Sequence, residues 1–137
     1  FVFFMKIRRL ISSDIDQVIN LLVSSFSSRY NNPPIIGTLS NPKSIFIVVE
    51  INNIIVGVAS LYIIEKLTRK MGLIEDVAVD SNQRGKGIGI KLIQNLTSEA
   101  KNMGCDKIVL NSSKDNISFY EKSGFKVNEI QMVLRNN

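Results

Sequence analysis

Three alternating glycines, Gly85, Gly87 and Gly89, lie in the segment R-G-K-G-I-G that spans residues 84–89. Glycine accepts backbone conformations that turn several N–H groups toward one point, and a helix that starts there adds positive potential. The apolar periodicity after this segment predicts such a helix. The segment is therefore predicted to bind an anion, most naturally a pyrophosphate.

Two familiar phosphate loops do not fit these glycines. A Walker loop needs glycine and then lysine after four variable residues, and the position five after Gly85 is Ile90. The dinucleotide fingerprint G-x-G-x-x-G also fails at Ile90. A flexible turn that binds nothing remains the alternative interpretation.

The acidic pair Glu75 and Asp76 interrupts the apolar segment 72–80. If this segment is a strand, alternation sends the two carboxylates to opposite faces, so one of them points toward the core or a cleft. An unpaired buried carboxylate is costly, which favours a functional cleft over a plain exposed edge.

The composition limits the chemistry. The chain of 137 residues has no histidine and one cysteine, Cys105, which excludes histidine-based triads, imidazole zinc sites and a disulfide scaffold. Proton transfer must then use Asp, Glu, Tyr, Lys, backbone groups or water. The net charge of +5 favours anionic partners, but the basic residues are dispersed and Trp is absent, so we expect no nucleic-acid partner.

The sequence also predicts the cellular compartment of the protein and the bounds of its domain. No window approaches 18 apolar residues, so no membrane partner is expected, and a single thiol without an export signal predicts the cytoplasm. Met5 is interpreted as the native start, with residues 1–4 a cloning remnant or short extension. Residues 5–137 are predicted to form one domain.

The elements that must position these groups follow from periodicity and turn signals. Ser13 and Asp16 resemble a helix start, and the loop 29–43 is predicted to carry one short helical turn. The strand–helix–strand order between 72 and 111 predicts a parallel pair within an α/β domain. Strands are predicted at residues 5–10, 45–51, 54–64, 72–80, 106–111 and 125–134, and helices at 15–26, 87–103 and 116–123.

Two motifs together resemble the GNAT acetyltransferase superfamily. One is R-x-x-G-x-G at residues 84–89 after the strand I-E-D-V-A-V, and the other is N-I-S-F-Y-E-K-S-G-F at residues 116–125. Segments 63–66, 74–79, 105–108 and 132–135 are most similar to the eukaryotic-type glucosamine 6-phosphate N-acetyltransferases within that superfamily. The resemblance implies a mixed central sheet flanked by helices, with a parallel strand pair splayed around acetyl-CoA.

The resemblance also implies residue roles. Tyr120 would protonate or hydrogen-bond the departing CoA thiolate, and Glu75 and Asp76 would lie beside the substrate amine. Acetyl-CoA would contact Val77, Ala78, Val79, Arg84, Gly85, Lys86, Gly87, Ile88, Gly89, Ile90, Asn116 and Tyr120. The phosphosugar would contact Glu75, Asp76, Val77, Asp106, Lys107, Asn111, Arg135 and Ser27, with Lys107 supplied by a partner subunit. The family forms homodimers with shared active sites, and no metal is implied.

Three departures from the family pattern are visible. Asn111 stands where relatives carry an acidic residue before the second motif. The connection 65–72 is several residues shorter than in relatives and lacks their histidine, so a sugar contact is missing or moved to Lys66, Arg69 or Lys70. A threonine contact of the family is replaced by Ser27 or Ser28, and the sequence does not choose between them.

The predicted function is acetyl transfer from acetyl-CoA to the amine of D-glucosamine 6-phosphate, within UDP-N-acetylglucosamine biosynthesis, by direct attack in a ternary complex. One alternative is another small GNAT enzyme that acetylates a polyamine, an antibiotic or a protein N-terminus. A second is a non-catalytic acyl-CoA-binding or nucleic-acid-binding module.

Overall fold

The computed structural model describes residues 5–35 and 37–136. The expectation for residues 1–4 lies outside this part of the chain. The strands are β1 (Met5–Arg9), β2 (Ser44–Ile51), β3 (Ile54–Glu65), β4 (Lys70–Val79) and β5 (Lys107–Leu110). The helices are α1 (Ile15–Ser25), α2 (Ile88–Asn102) and α3 (Ile117–Glu121), with 3₁₀ turns at Ser12–Asp14, Ser28–Tyr30, Thr38–Ser40, Ser81–Gln83 and Lys114–Asn116.

The five strands form one mixed sheet in chain order, β1-β2-β3-β4-β5. All neighbouring pairs are antiparallel except β4 and β5, which are parallel and joined through α2. The predicted fold class, a mixed sheet flanked by helices, is therefore confirmed. The parallel pair needs the long α2 connection, which the sequence pattern also predicted.

Helices cover both faces of the sheet. One core cluster joins alternate residues of β2, such as Ile47 and Val49, to Leu92 and Leu96 of α2. The other cluster joins Val18 and Leu21 of α1 to residues on the opposite side of β2 and β3. This double coverage explains why these strands read as continuous apolar runs.

The hairpin turn and the α2 terminus follow their sequence signals. Asn52 and Asn53 have φ values of 52° and 66°, the left-handed conformation that a tight hairpin turn requires. Gly104 follows α2 with φ of 83°, as expected for a C-terminal stop.

The start of α1 differs from the prediction. Asp14, rather than Ser13, occupies the N-cap position, after the 3₁₀ turn Ser12–Asp14. The Asp14 carboxylate accepts hydrogen bonds from Arg8 at 2.7 and 2.9 Å and from the Ile11 N–H at 2.9 Å. Arg8 therefore fixes the entry to α1, and its proximity holds the pKa of Asp14 below the usual range.

The predicted last strand, residues 125–134, is wrong for this chain taken alone. No strand is assigned between Phe125 and Asn136. Apolar side chains there are exposed, among them Ile130 at 90%, Met132 at 93% and Leu134 at 94%. Alternating apolar residues favour a strand, but a strand forms only where a neighbour completes its hydrogen bonds, and this segment pairs with none of the described strands.

Candidate active site

A β-bulge shapes the acidic segment of β4. Val58 of β3 pairs with Ala78 and Ser60 pairs with Glu75, so Asp76 and Val77 together oppose the one residue between them. Asp76 has φ of 54°, a left-handed conformation that is unusual for a residue inside a strand. The bulge therefore interrupts the regular alternation of side chains between Asp76 and Val77.

Just before the bulge, β4 separates from β5. The two strands pair only from Met71 opposite Lys107 to Ile74 opposite Leu110, whereas β4 continues to Val79. Within the described residues, the β5-facing edge of β4 has no strand partner after Ile74. Backbone donors and acceptors along an unpaired strand edge can bind an extended ligand, and residues 77–79, which were predicted to contact acetyl-CoA, lie along this stretch.

Glu75 and Asp76 lie where β4 and β5 stop pairing, a place that we call the fork. The pKa of each carboxylate is shifted from its ordinary value. Burial and the neighbouring Asp76 charge raise the pKa of Glu75, although the Asn111 side chain donates a hydrogen bond that opposes the shift. Burial also raises the pKa of Asp76, against a hydrogen bond from Tyr30 that lowers it. A partly buried carboxylate with a raised pKa is suited to accept a proton from an amine.

The glycine segment forms the N-terminus of α2. Gly85 and Gly87 have φ values of 82° and 78°, and Gly87 is the N-cap residue of α2. No other atom lies within 4 Å of where a Cβ on Gly87 would be, so its surroundings are open. Ile88, by contrast, is 1% exposed and anchors the helix start in the core. The segment thus offers exposed N–H groups on a rigid helix end, which suits a phosphate ligand.

Gly89 has a different role from the other two glycines. A Cβ there would lie 2.9 Å from the Phe119 Cζ atom, so this glycine lets α3 pack directly against the first turn of α2. Phe119 in turn contacts Tyr120 edge-on, with ring centroids 5.1 Å apart. The two motifs that are far apart in the sequence are therefore adjacent in the fold.

Tyr120 lies between the core and an open cleft. Its ring packs against the main core cluster, and its centroid lies 6.3 Å from that of the Phe125 ring. Tyr120 also lines a cleft of about 1110 Å³ together with Leu110 and Asn111. Burial raises the pKa of the Tyr120 hydroxyl. The hydroxyl therefore stays protonated near neutral pH and is able to donate a hydrogen bond or a proton.

The remaining predicted substrate residues are spread more widely. Asn111 hydrogen-bonds to Glu75, and Ser27 accepts a hydrogen bond from the Arg29 N–H at 3.3 Å. Lys107 and Asp106 lie at the opposite end of β5, with Lys107 roughly 10 Å along the strand from Leu110. Arg135 and Asn116 are exposed, and none of the ion pairs among the described residues includes Lys107 or Arg135. In one copy of the chain, the predicted substrate residues therefore do not all lie around Glu75 and Asp76.

Two tyrosines near the carboxylates were missed in the sequence. Tyr30 and Tyr62 of β3 lie near enough to the carboxylates that the negative charges of Asp76 and Glu75 add to the effect of burial on the pKa of each tyrosine. Burial raises the pKa of each hydroxyl. No spacing signal marks these residues, because the pairing of β3 with β4 and the path of the loop after α1 bring them near the carboxylates.

A comparison with known families identifies the fold. The Acetyltransferase (GNAT) family model matches residues 15–125. The chain belongs to the GNAT acetyltransferase family. The resemblance predicted from the glycine and N-I-S-F-Y motifs is thus confirmed, and the fork, the α2 N-terminus and Tyr120 all lie within or beside the matched GNAT region.

Individual GNAT relatives give a narrower comparison. The chain is 48% identical over 83 residues to a glucosamine 6-phosphate N-acetyltransferase of Trypanosoma brucei brucei, covering 58% of this chain and 56% of that protein. It is 32% identical over 113 residues to the enzyme of that name from Candida albicans, covering 80% and 74%. The first match thus spans little more than half of that relative's length.

A solved GNAT structure agrees over nearly the whole chain. The glucosamine-6-phosphate N-acetyltransferase from Arabidopsis thaliana superposes with a TM-score of 0.84 at 32% identity, covering 98% of this chain and 99% of that one.

Two further observations concern metal binding and membrane spanning, which membership of the GNAT family does not decide. In residues 5–35 and 37–136, Cys, Asp and Glu side chains form no group of three that could hold a metal ion. Over the same ranges, every helix lacks the length or the apolar character to span a bilayer.

Proposed function

We propose that this protein transfers the acetyl group of acetyl-CoA to the amine of D-glucosamine 6-phosphate, giving N-acetyl-D-glucosamine 6-phosphate and CoA. The observation that carries the proposal is the fork between β4 and β5, where two carboxylates of raised pKa stand at the start of an unpaired strand edge. The names of the Trypanosoma and Candida relatives support this acceptor. The product would enter UDP-N-acetylglucosamine biosynthesis in the cytoplasm.

The cofactor contacts proposed for acetyl-CoA fit the local geometry. The pantetheine arm would pair with the β4 edge at Val77 and Val79 and extend the sheet like a strand. The pyrophosphate would bind the exposed N–H groups of residues 85–90, near Arg84. The space beside Gly87 supports close approach of a phosphate to the backbone.

The proposed reaction is a single displacement. Glu75 or Asp76, directly or through water, takes a proton from the substrate ammonium, and the neutral amine attacks the thioester carbonyl. The carbon–nitrogen bond forms and the carbon–sulfur bond breaks, Tyr120 gives its proton to the departing thiolate, and the second proton of the attacking nitrogen passes, directly or through water, to the Tyr120 oxygen. Much of the acceleration would come from holding the two substrates together, so no covalent enzyme intermediate is needed.

We also propose that the active form is a homodimer with shared active sites. β5 is an outer strand of the sheet, and the apolar residues of segment 125–136 are exposed in one copy. A second copy packed on this side would cover both surfaces and bring a partner's Lys107 toward the acceptor.

Light scattering on the purified protein tests the dimer. We expect a mass of twice the chain, and Met132→Lys together with Leu134→Lys should lower it by placing charges in the buried contact. A wild-type mass of one chain at assay concentration would remove Lys107 from the neighbouring site.

The phosphate preference should depend on Arg135. The arginine guanidinium group is planar, and the spacing of its N–H donors matches that of phosphate oxygens. In a thiol-release assay we expect wild type to prefer glucosamine 6-phosphate over glucosamine, and Arg135→Ala to lose mainly this preference, by about 1.5–3 kcal/mol in kcat/KM. Because 125–134 is not a strand in one copy, this expectation rests on the resemblance and the dimer.

Lys126→Ala is the matched control, because Lys126 is an exposed cation of the same segment. It should keep the preference. Equal wild-type rates on both sugars would instead favour another GNAT acceptor, which a polyamine, an aminoglycoside and a peptide N-terminus in the same assay would identify. Acetyl-CoA binding with no release on any amine would favour the non-catalytic module.

A further inference from the structure

The backbone of Gly89 does not itself require a glycine. Gly85 and Gly87 have positive φ values, whereas Gly89 lies inside the first turn of α2 with a helical backbone. Alanine forms helices more readily than glycine, because glycine loses more backbone entropy when it is fixed. A glycine at this position therefore needs an explanation other than its own conformation.

The space beside Gly89 is filled by the Phe119 ring. A Cβ on Gly89 would lie 2.9 Å from the Phe119 Cζ atom and 3.6 and 3.8 Å from Cε1 and Cε2. The far end of the ring therefore points at the Gly89 backbone. Because carbon atoms pack best at roughly 3.5–4 Å, a methyl group on Gly89 would push the ring back by roughly 0.6–1 Å.

Phe119 is also in contact with Tyr120. The two rings meet edge-on at 5.1 Å with an interplanar angle of 80°, and Tyr120 makes a second edge-on contact with Phe125. The Tyr120 carbonyl accepts hydrogen bonds from the N–H groups of Ser123 at 3.0 Å and Phe125 at 3.3 Å. Helix α3 has five residues, and a helix this short depends on such packing for its position.

We propose that Phe119 is a positioning residue for the acetyl transfer: its ring, seated on Gly89, holds the Tyr120 hydroxyl where the CoA thiolate departs. This inference rests on the proposed function. The same contact fixes the distance between the α2 N-terminus and the proton donor, which would contact different parts of one cofactor. Gly89 then offers its N–H to the phosphate, while its missing side chain makes room for Phe119.

A rescue experiment with Gly89→Ala and Phe119→Leu tests the proposal. Gly89→Ala should slow single-turnover thiol release with glucosamine 6-phosphate by roughly tenfold, since a misplacement of about 1 Å can cost up to about a hundredfold. Acetyl-CoA affinity, measured by calorimetry, should stay within about twofold, because alanine keeps the N–H. Leucine lacks the three ring atoms nearest to Gly89, so the double variant should be faster than Gly89→Ala by roughly threefold or more.

Three controls separate positioning from general damage. Because Phe119 acts through Tyr120, adding Gly89→Ala to Tyr120→Phe should cost nothing further. Ser118→Ala changes an exposed residue of the same helix and should leave the rate unchanged. Hydrogen exchange of the Ser123 N–H, followed by NMR without substrates, should be faster in Gly89→Ala and slower again in the double variant.

Three results would overturn the inference. The first is a double variant no faster than Gly89→Ala, and the second is an equal cost of Gly89→Ala with and without the Tyr120 hydroxyl. The third is a rate loss matched by an equal loss of acetyl-CoA affinity, which would assign the Gly89 position to cofactor binding alone.

The exchange measurement distinguishes this inference from the proposed function. If wild type acetylates no sugar while exchange at Ser123 changes and recovers as expected, the proposed function and the catalytic role of Phe119 both fail, and only the packing contact stands. If wild type is active while Gly89→Ala changes neither the exchange nor the rate, only the Phe119 inference fails.

Discussion

Tyr120→Phe should lower the turnover of acetyl transfer by roughly ten- to a thousandfold, the range found for single proton donors and oxyanion contacts. The reason is that the hydroxyl interacts with charge that appears on sulfur only as the thioester breaks, so its loss affects the transition state more than the bound substrates. The measurement is single-turnover thiol release at saturating acetyl-CoA and sugar phosphate.

Two controls separate chemistry from packing at Tyr120. The phenylalanine keeps the edge-on contacts with Phe119 and Phe125, so urea unfolding should show little change in stability. Acetyl-CoA affinity, measured by calorimetry, should also stay close to wild type. Turnover within about twofold of wild type, while chemistry limits the rate, would make Tyr120 a packing residue only.

Gly87→Val should weaken acetyl-CoA binding by roughly ten- to a hundredfold, as judged from the loss of one charge-assisted contact. Gly87 has φ of 78°, which a β-branched residue adopts only with strain, and its side chain would stand where the backbone must approach the pyrophosphate. Isothermal titration with CoA and acetyl-CoA gives the affinity directly.

The matched control is Gly104→Val, at the opposite end of the same helix. Gly104 has φ of 83° and, like Gly87, no atom within 4 Å of an added Cβ, so the two variants carry similar backbone strain. Gly104→Val should destabilise the fold comparably but bind acetyl-CoA normally once folded. Equal losses of affinity in both variants, or none in folded Gly87→Val, would contradict the loop assignment.

The parts of the fold that local signals decide were predictable. The hairpin at Asn52–Asn53 and the end of α2 at Gly104 depend on residues that tolerate left-handed backbone, and these residue types are visible in the sequence. The parallel pair followed from the apolar period of α2 between two strands. The glycine segment and Tyr120 were found by motif, and the contact between Gly89 and Phe119 explains why the two motifs lie together.

The parts that depend on distant neighbours were not predictable. The bulge at Asp76 arises from the register between β3 and β4, which simple alternation along β4 does not indicate. Tyr30 reaches Asp76 from a loop whose path no periodicity indicates. The apolar pattern of 125–134 favours a strand, but none of the described strands pairs with this segment, and its apolar side chains are exposed.

The most direct test of the account is the fate of a labelled acetyl group. Acetyl-CoA carrying ¹³C in the acetyl carbonyl is mixed with D-glucosamine 6-phosphate and the protein, and the label is followed by NMR. The account predicts that the label moves to an amide carbonyl on the sugar at the rate of thiol release. Label that appears as free acetate, or that stays on CoA while the protein is shown to bind it, would contradict the account.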